Sequence, residues 1–279
     1  MSIEQWLLAQ CQAALACGQK MVIGLNGPIG AGKTTLSLAL HRQFSEAGVQ
    51  LAVVSIDDAY LPWEQRLAAM AGNPFGVTRV PPGSHDPGLL QARITAWRSG
   101  DQPLVLPRFD KTLRGGHGDR CDDERVVADA LLLEGWLVGC RSLGEVPEHP
   151  CLGQLSRAER EWLPHWDAQL QSYEPLWEQL DRLVQLWPDR WSSPRRWRFQ
   201  AEARQRRRGG GWLPAAALDA VVRSSLCSLP APLYQQPLLA RADWVRVLDG
   251  RRRYLWEGSG DDAMGRWAQA SSPSSSATG

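Results

Sequence analysis

One nine-residue string constrains this chain more than any other feature: Gly27-Pro28-Ile29-Gly30-Ala31-Gly32-Lys33-Thr34-Thr35. It follows the apolar run KMVIGLNG, which reads as a buried strand, and precedes LSLALHRQFSEAG, which reads as a helix closed by Gly48. The spacing matches G-x-x-x-x-G-K-[ST] in the strand-to-helix context that the motif needs. Its glycines let backbone N–H groups converge on phosphates, and the helix N-terminus adds partial positive charge. Lys33 then reaches the β and γ oxygens of a bound ATP, while the Thr34 hydroxyl ligates Mg2+. Lysine is scarce here, since among 31 basic residues only Lys20, Lys33 and Lys111 are lysine. That scarcity argues against a chance glycine turn and suggests that a compact ammonium is required at Lys33 and Lys111.

A second buried strand, QLAVVSIDD, follows the helix and completes a βαβ unit. The expected fold class is therefore α/β, with a parallel sheet covered by helices on both faces and ligands at the carboxyl ends of its strands. Further strands are expected in RVVADALLLEGWLVG and at DRLVQLW. Between Gly72 and Arg120 the chain is rich in Gly and Pro, with a helix over 87–98 and a short strand at PLVL; loops of this kind usually build a substrate site. Residues 154–180 carry apolar positions at helical spacing, with Trp166 and Trp177 read as packing residues.

The carboxylates at strand ends suggest chemistry. Asp57 and Asp58 close the second strand beside the glycine loop, and a kinase acting on an alcohol needs a carboxylate to accept the hydroxyl proton. Asp57 is the candidate base, and capping of a helix near Leu61 is the alternative for one or both. Glu134 follows three leucines of a buried strand, where an unpaired carboxylate is costly. Metal or water positioning is favoured there over a salt bridge to an arginine.

Several further strings recur together: GPIGAGKTT, SIDDAYL, PPGSHDPGLL, LPRFDKTLRGGHGDR, LLLEGWLVG, SYEPLWEQLDRLVQL and RRWRFQAEARQRR. In order and rough spacing, over residues 20 to about 210, they resemble D-glycerate 3-kinase of the plant and cyanobacterial type. The resemblance implies a P-loop NTPase-type sheet and ATP-dependent phosphorylation of D-glycerate to 3-phosphoglycerate, as in photorespiration. It also implies Asp57 as base, Lys33 and Thr34 as triphosphate and magnesium ligands, and His85, Asp86, Arg108, Lys111, Asp119 and Arg120 as the substrate side. Within that set, Arg108, Lys111 and Arg120 could supply the cation for the glycerate carboxylate. His85 or Asp86 could hold the 2-hydroxyl, with a loop-structuring hydrogen bond as the alternative for His85.

Arginines crowd RRWRFQAEARQRRR over 195–208, on an expected helix after the strand at DRLVQLW. A lid closing on the phosphates is favoured over a solvated or nucleic-acid-binding face, because the net charge of the whole chain is only +1. Arg196, Arg198 and Arg206 align best with the family string, while Arg207 and Arg208 read as solubilising charge. The triple arginine 251–253 reads as a hairpin turn without a role. One domain over 1–257 and a disordered tail over 258–279 are expected, the latter from its small polar composition. Small-molecule partners are expected, without nucleic acid or membrane, and a cytoplasmic location fits six cysteines without metal-ligand spacing and a start unlike a signal peptide. A related kinase with an acceptor such as uridine or pantothenate stays open, as does a nucleotide-driven regulatory ATPase.

Overall fold

The computed structural model describes residues 1–100, 102–207, 209 and 213–267. Its main sheet has six strands in the order β2-β5-β1-β6-β7-β8. These are β1 (Met21–Asn26), β2 (Leu51–Ser55), β5 (Ala130–Gly135), β6 (Arg182–Pro188), β7 (Trp244–Leu248) and β8 (Tyr254–Gly258). The first five run parallel, and β8 returns antiparallel to β7. A separate hairpin joins β3 (Leu104–Asp110) to β4 (Asp119–Val126).

Both faces of the parallel strands are covered, which is why they read as unbroken apolar runs. Side chains alternate between two cores. Val22, Val54, Leu131 and Leu133 pack with Leu90, Trp97, Trp166 and Trp177, from α4 (Pro87–Arg98), α5 (Arg157–Leu170) and α6 (Glu174–Trp177). Ile23, Leu25, Leu132 and Val184 pack instead with Leu7, Leu40, Phe44 and Trp197, from α1 (Ile3–Ala16), α2 (Lys33–Glu46) and α7 (Ser193–Arg207). Trp166 and Trp177 are core, as their helical spacing indicates.

Several elements depart from expectation. The helix after Asp58 is α3 (Trp63–Ala69), and the preceding residues form a 3-10 turn, Ile56–Ala59. The stretch RVVADALLLEG is divided between the end of β4 and β5, because β4 is an exposed polar strand whose apolar signal is confined to its last residue. Two helices not foreseen, α8 (Ala215–Cys227) and α9 (Ala231–Tyr234), lie before β7. The expected tail begins with the last residue of β8 and then a helix, α10 (Gly260–Trp267). Fully buried Ala263 and its neighbour Met264 pack against Leu239, Val245 and Val247, an apolar contact that the small polar composition conceals. Arg208 and residues 268–279 lie outside the described residues. No helix among the described residues is long and apolar enough to cross a membrane.

Candidate active site

The carboxyl ends of β1, β2 and β5 open into a cavity of about 750 Å³ lined by Gly30, Gly32, Lys33, Thr34, Thr35, Asp57, Lys111 and Glu134. The parallel register explains the grouping: Ser55 of β2 stands level with Glu134 of β5, and Leu25 of β1 is level with Glu134 on the other side. Chain elements far apart in sequence therefore end on one edge.

The glycine loop connects β1 to α2 and closes at Gly32, whose φ of 95° is available to glycine at little cost. Gly30, with φ 79°, lies against α7: a Cβ there would stand 2.8 Å from both the Arg198 nitrogen and the Trp197 Cβ. The loop and the arginine helix are thus in backbone contact. Lys33 Nζ donates to the Gly27 carbonyl at 3.0 Å and lies 3.8 Å from Glu134 Oε2. That oxygen is buried without a hydrogen-bond partner, and burial pushes the Glu134 carboxyl up despite the opposing charge of Lys33.

Asp57 occupies the 3-10 turn after β2. Tyr60 donates its hydroxyl to Oδ1 at 2.9 Å, Lys111 Nζ donates to Oδ2 at 3.3 Å, and His85 Nε2 stands 3.7 Å from Oδ1. Burial alone would raise its pKa, but Lys111, His85 and Tyr60 together hold it far below the usual carboxylate range. Asp58 forms a capping box with Ser55 for this short turn and pairs with Arg108 at 3.2 Å. Its carboxyl is pushed up by burial.

Of the six substrate-side residues expected from sequence, only Lys111 lines the cavity. His85 is fully buried behind Asp57, stacked on Tyr60 at 4.4 Å, with Nδ1 2.8 Å from the Tyr173 hydroxyl. Its Nε2 faces Asp57 and it does not line the cavity, and burial pushes its pKa down against the opposing charge of Asp57. Asp86 caps α4 by accepting from Leu89 N, and it pairs with Arg120 at 3.1 Å. Arg120 also donates to the Tyr60 carbonyl at 2.6 Å. Asp119 accepts from Trp63 N and from Arg114. Arg108 lies between Asp58 and Glu124 on the far side of β2. These side chains brace the loops around the cavity, and none of the five lines it.

The arginine helix divides similarly. Arg198 lines the cavity and pairs with Glu202 at 2.6 Å. Arg196 instead donates to the Gly250 carbonyl at 2.5 Å, and Arg206 faces another groove with Phe199 and Leu218. Three arginines missed by sequence reasoning do line the cavity: Arg79, Arg204 and Arg252. Arg252, in the turn read as having no role, donates to the Gly30 carbonyl at 3.3 Å and to Gln200 at 2.8 Å. In a chain so rich in arginine, these three carried no contrast that could have singled them out.

No family model matches the chain. It is 28% identical over 201 residues to an uncharacterized kinase, mug58, of Schizosaccharomyces pombe, covering 66% of this chain and 71% of that protein. It is 30% identical over 202 residues to the chloroplastic D-glycerate 3-kinase of Arabidopsis thaliana, covering 68% of this chain and 42% of the plant protein. The match thus spans less than half of the plant protein's length. Among solved structures, a D-glycerate 3-kinase from Cryptococcus neoformans var. grubii superposes with a TM-score of 0.77 at 25% identity, over 93% of this chain and 99% of that one.

Proposed function

We propose that the chain, which is similar to D-glycerate 3-kinases in sequence and fold, is an ATP-dependent P-loop kinase that transfers the γ-phosphoryl group of ATP to D-glycerate. The observation that carries this reading is the convergence of Lys33, Asp57 and Glu134 on one cavity beside the glycine loop. Gly27, Pro28, Ile29, Gly30, Ala31, Gly32, Lys33, Thr34 and Thr35 would cradle the triphosphate through their backbone, with Lys33 leaving the Gly27 carbonyl for the β and γ oxygens. The arginine-lined groove that continues past Arg252, with Arg196, Gln200 and Arg204, would take the rest of the nucleotide.

Magnesium fits the donors present. Thr34 and Glu134 offer hard oxygens, and the buried, unpartnered Oε2 of Glu134 is a group that a hydrated divalent cation would satisfy. When bound, the ion would neutralise charge on the β and γ oxygens. Asp57 would orient the acceptor hydroxyl and receive its proton. Its depressed pKa keeps it ionised at neutral pH, which suits a loose transition state in which the proton leaves late. Arg198 and Arg204, carried on α7 as a lid, would face the transferring group. Free thiols at exposed Cys17 and Cys121 fit a reducing, cytoplasmic setting.

ADP release measured with magnesium-ATP and a panel of D-glycerate, L-glycerate, glycerol, uridine and pantothenate tests the proposal. Release that depends on D-glycerate is expected. Release with uridine or pantothenate alone, or at the same rate without any acceptor, would reject it.

A further inference from the structure

An acceptor that carries a carboxylate beside its reacting hydroxyl needs a cation in the cavity that no protein carboxylate already occupies. Arg108 is paired with Asp58 and Glu124 and Arg120 with Asp86, and neither arginine lines the cavity. Lys111 reaches the cavity, but its ammonium rests on Asp57, so a ligand carboxylate held there would be pressed against the base. Arg198 is paired with Glu202.

Arg79 differs from all four, and also from Arg204 and Arg252, which line the cavity without an ion pair among the described residues but belong as well to the neighbouring groove; Arg252 also donates to the Gly30 carbonyl of the glycine loop. Arg79 lines the same cavity, its Nη1 donates to the His117 carbonyl at 2.9 Å, and among the described residues it has no acidic partner. Most of its planar fork is therefore available, and that fork matches a carboxylate bidentately. Its charge is felt at the Tyr60 phenol, where it opposes the upward push of burial, and that phenol donates to Asp57. The backbone beside it is unusual. Val80 is a buried, β-branched residue with φ 96°, and it is followed by Pro81 and Pro82. Left-handed φ at such a residue is a steric outlier, and strain of this kind gathers where a ligand group must be aimed.

Building on the kinase reading above, we propose that Arg79 is the specificity-determining cation of the acceptor site, clamping the carboxylate of a short hydroxy acid whose hydroxyl faces Asp57. Lys111 then serves Asp57 and the migrating phosphoryl group, and the strained turn at Val80 fixes the direction of the Arg79 fork.

The test compares wild type, Arg79→Met and Arg79→Lys on D-glycerate and on its neutral methyl ester, with the KM for ATP and the melting temperature measured alongside. For Arg79→Met, the KM for D-glycerate should rise roughly tenfold to a hundredfold. The KM for ATP and turnover of the ester should stay within about twofold of wild type. Arg79→Lys should recover part of the loss, and it carries the same comparison if the Met variant does not fold, because it keeps a donor for the His117 carbonyl. An unchanged KM for D-glycerate, or equal losses on acid and ester, overturns the clamp. If wild type ignores D-glycerate but phosphorylates another hydroxy acid on which Arg79→Met is selectively impaired, the clamp stands and the glycerate reading falls. Turnover of neutral alcohols alone overturns the clamp and leaves the kinase.

Discussion

Asp57 has three supports of different kinds: a phenol, an ammonium and a buried imidazole. Each favours its ionised form, so removing one should raise its pKa toward the ordinary carboxylate value. Tyr60→Phe deletes the hydrogen bond at 2.9 Å while keeping the ring stacked on His85. The acid limb of the kcat/KM profile, which reports the free enzyme's base, should therefore move to higher pH. The sign extends to stability. A carboxylate whose folded pKa is depressed stabilises the fold above the unfolded carboxylate range, and that contribution fades as pH falls toward the folded value. Tyr60→Phe should accordingly lose stability at neutral pH and converge with wild type in strong acid, as urea melts at several pH values would show. An acid limb that stays in place would separate Tyr60 from the base. The placement of Asp57 at the cavity could be read from its position at a strand end. The placement of Tyr60, His85 and Arg79 around it could not, because side-chain direction in loops depends on packing that the string does not encode.

The glycine loop is held from outside as well as within. Trp197 is fully buried on α7, donates Nε1 to the Gly250 carbonyl at 3.0 Å, and brings the helix backbone onto Gly30. Gly30→Ala should therefore cost about 1–3 kcal/mol of stability, from a left-handed φ and a Cβ pressed on backbone atoms. It should also raise the KM for ATP about tenfold or more, since the loop and the arginine helix must separate. Thermal melts and ATP titrations check both, and an unchanged KM would show that the loop tolerates the shift. The parallel strands were legible because burial on both faces leaves continuous apolar runs. β4 was not, since DRCDDERV pairs with β3 while its side chains face water. α10 was hidden for a related reason: two small apolar contacts in a polar string suffice once β7 supplies their partners.

Across the whole molecule, the parallel register delivers the ends of three strands to one edge, α7 and the turn after β7 cover that edge, and Arg79, Val80 and Lys111 from the long loops close its other side. The fold class followed from the motif and its flanking strands. The loop residues around the cavity did not, because Asp86, Arg108, Asp119 and Arg120 tie loops to one another through ion pairs and caps, and His85 is held by Tyr173. Phosphoryl transfer to an alcohol leaves a record that ATP hydrolysis cannot imitate. Phosphorus NMR of a reaction containing magnesium-ATP and D-glycerate should show the γ resonance of ATP replaced by a phosphomonoester coupled to the C3 protons. Asp57→Asn should slow that replacement by roughly a hundredfold to ten-thousandfold. Inorganic phosphate as the sole new signal, or an undiminished rate in Asp57→Asn, would contradict the assignment of this cavity as a glycerate kinase site.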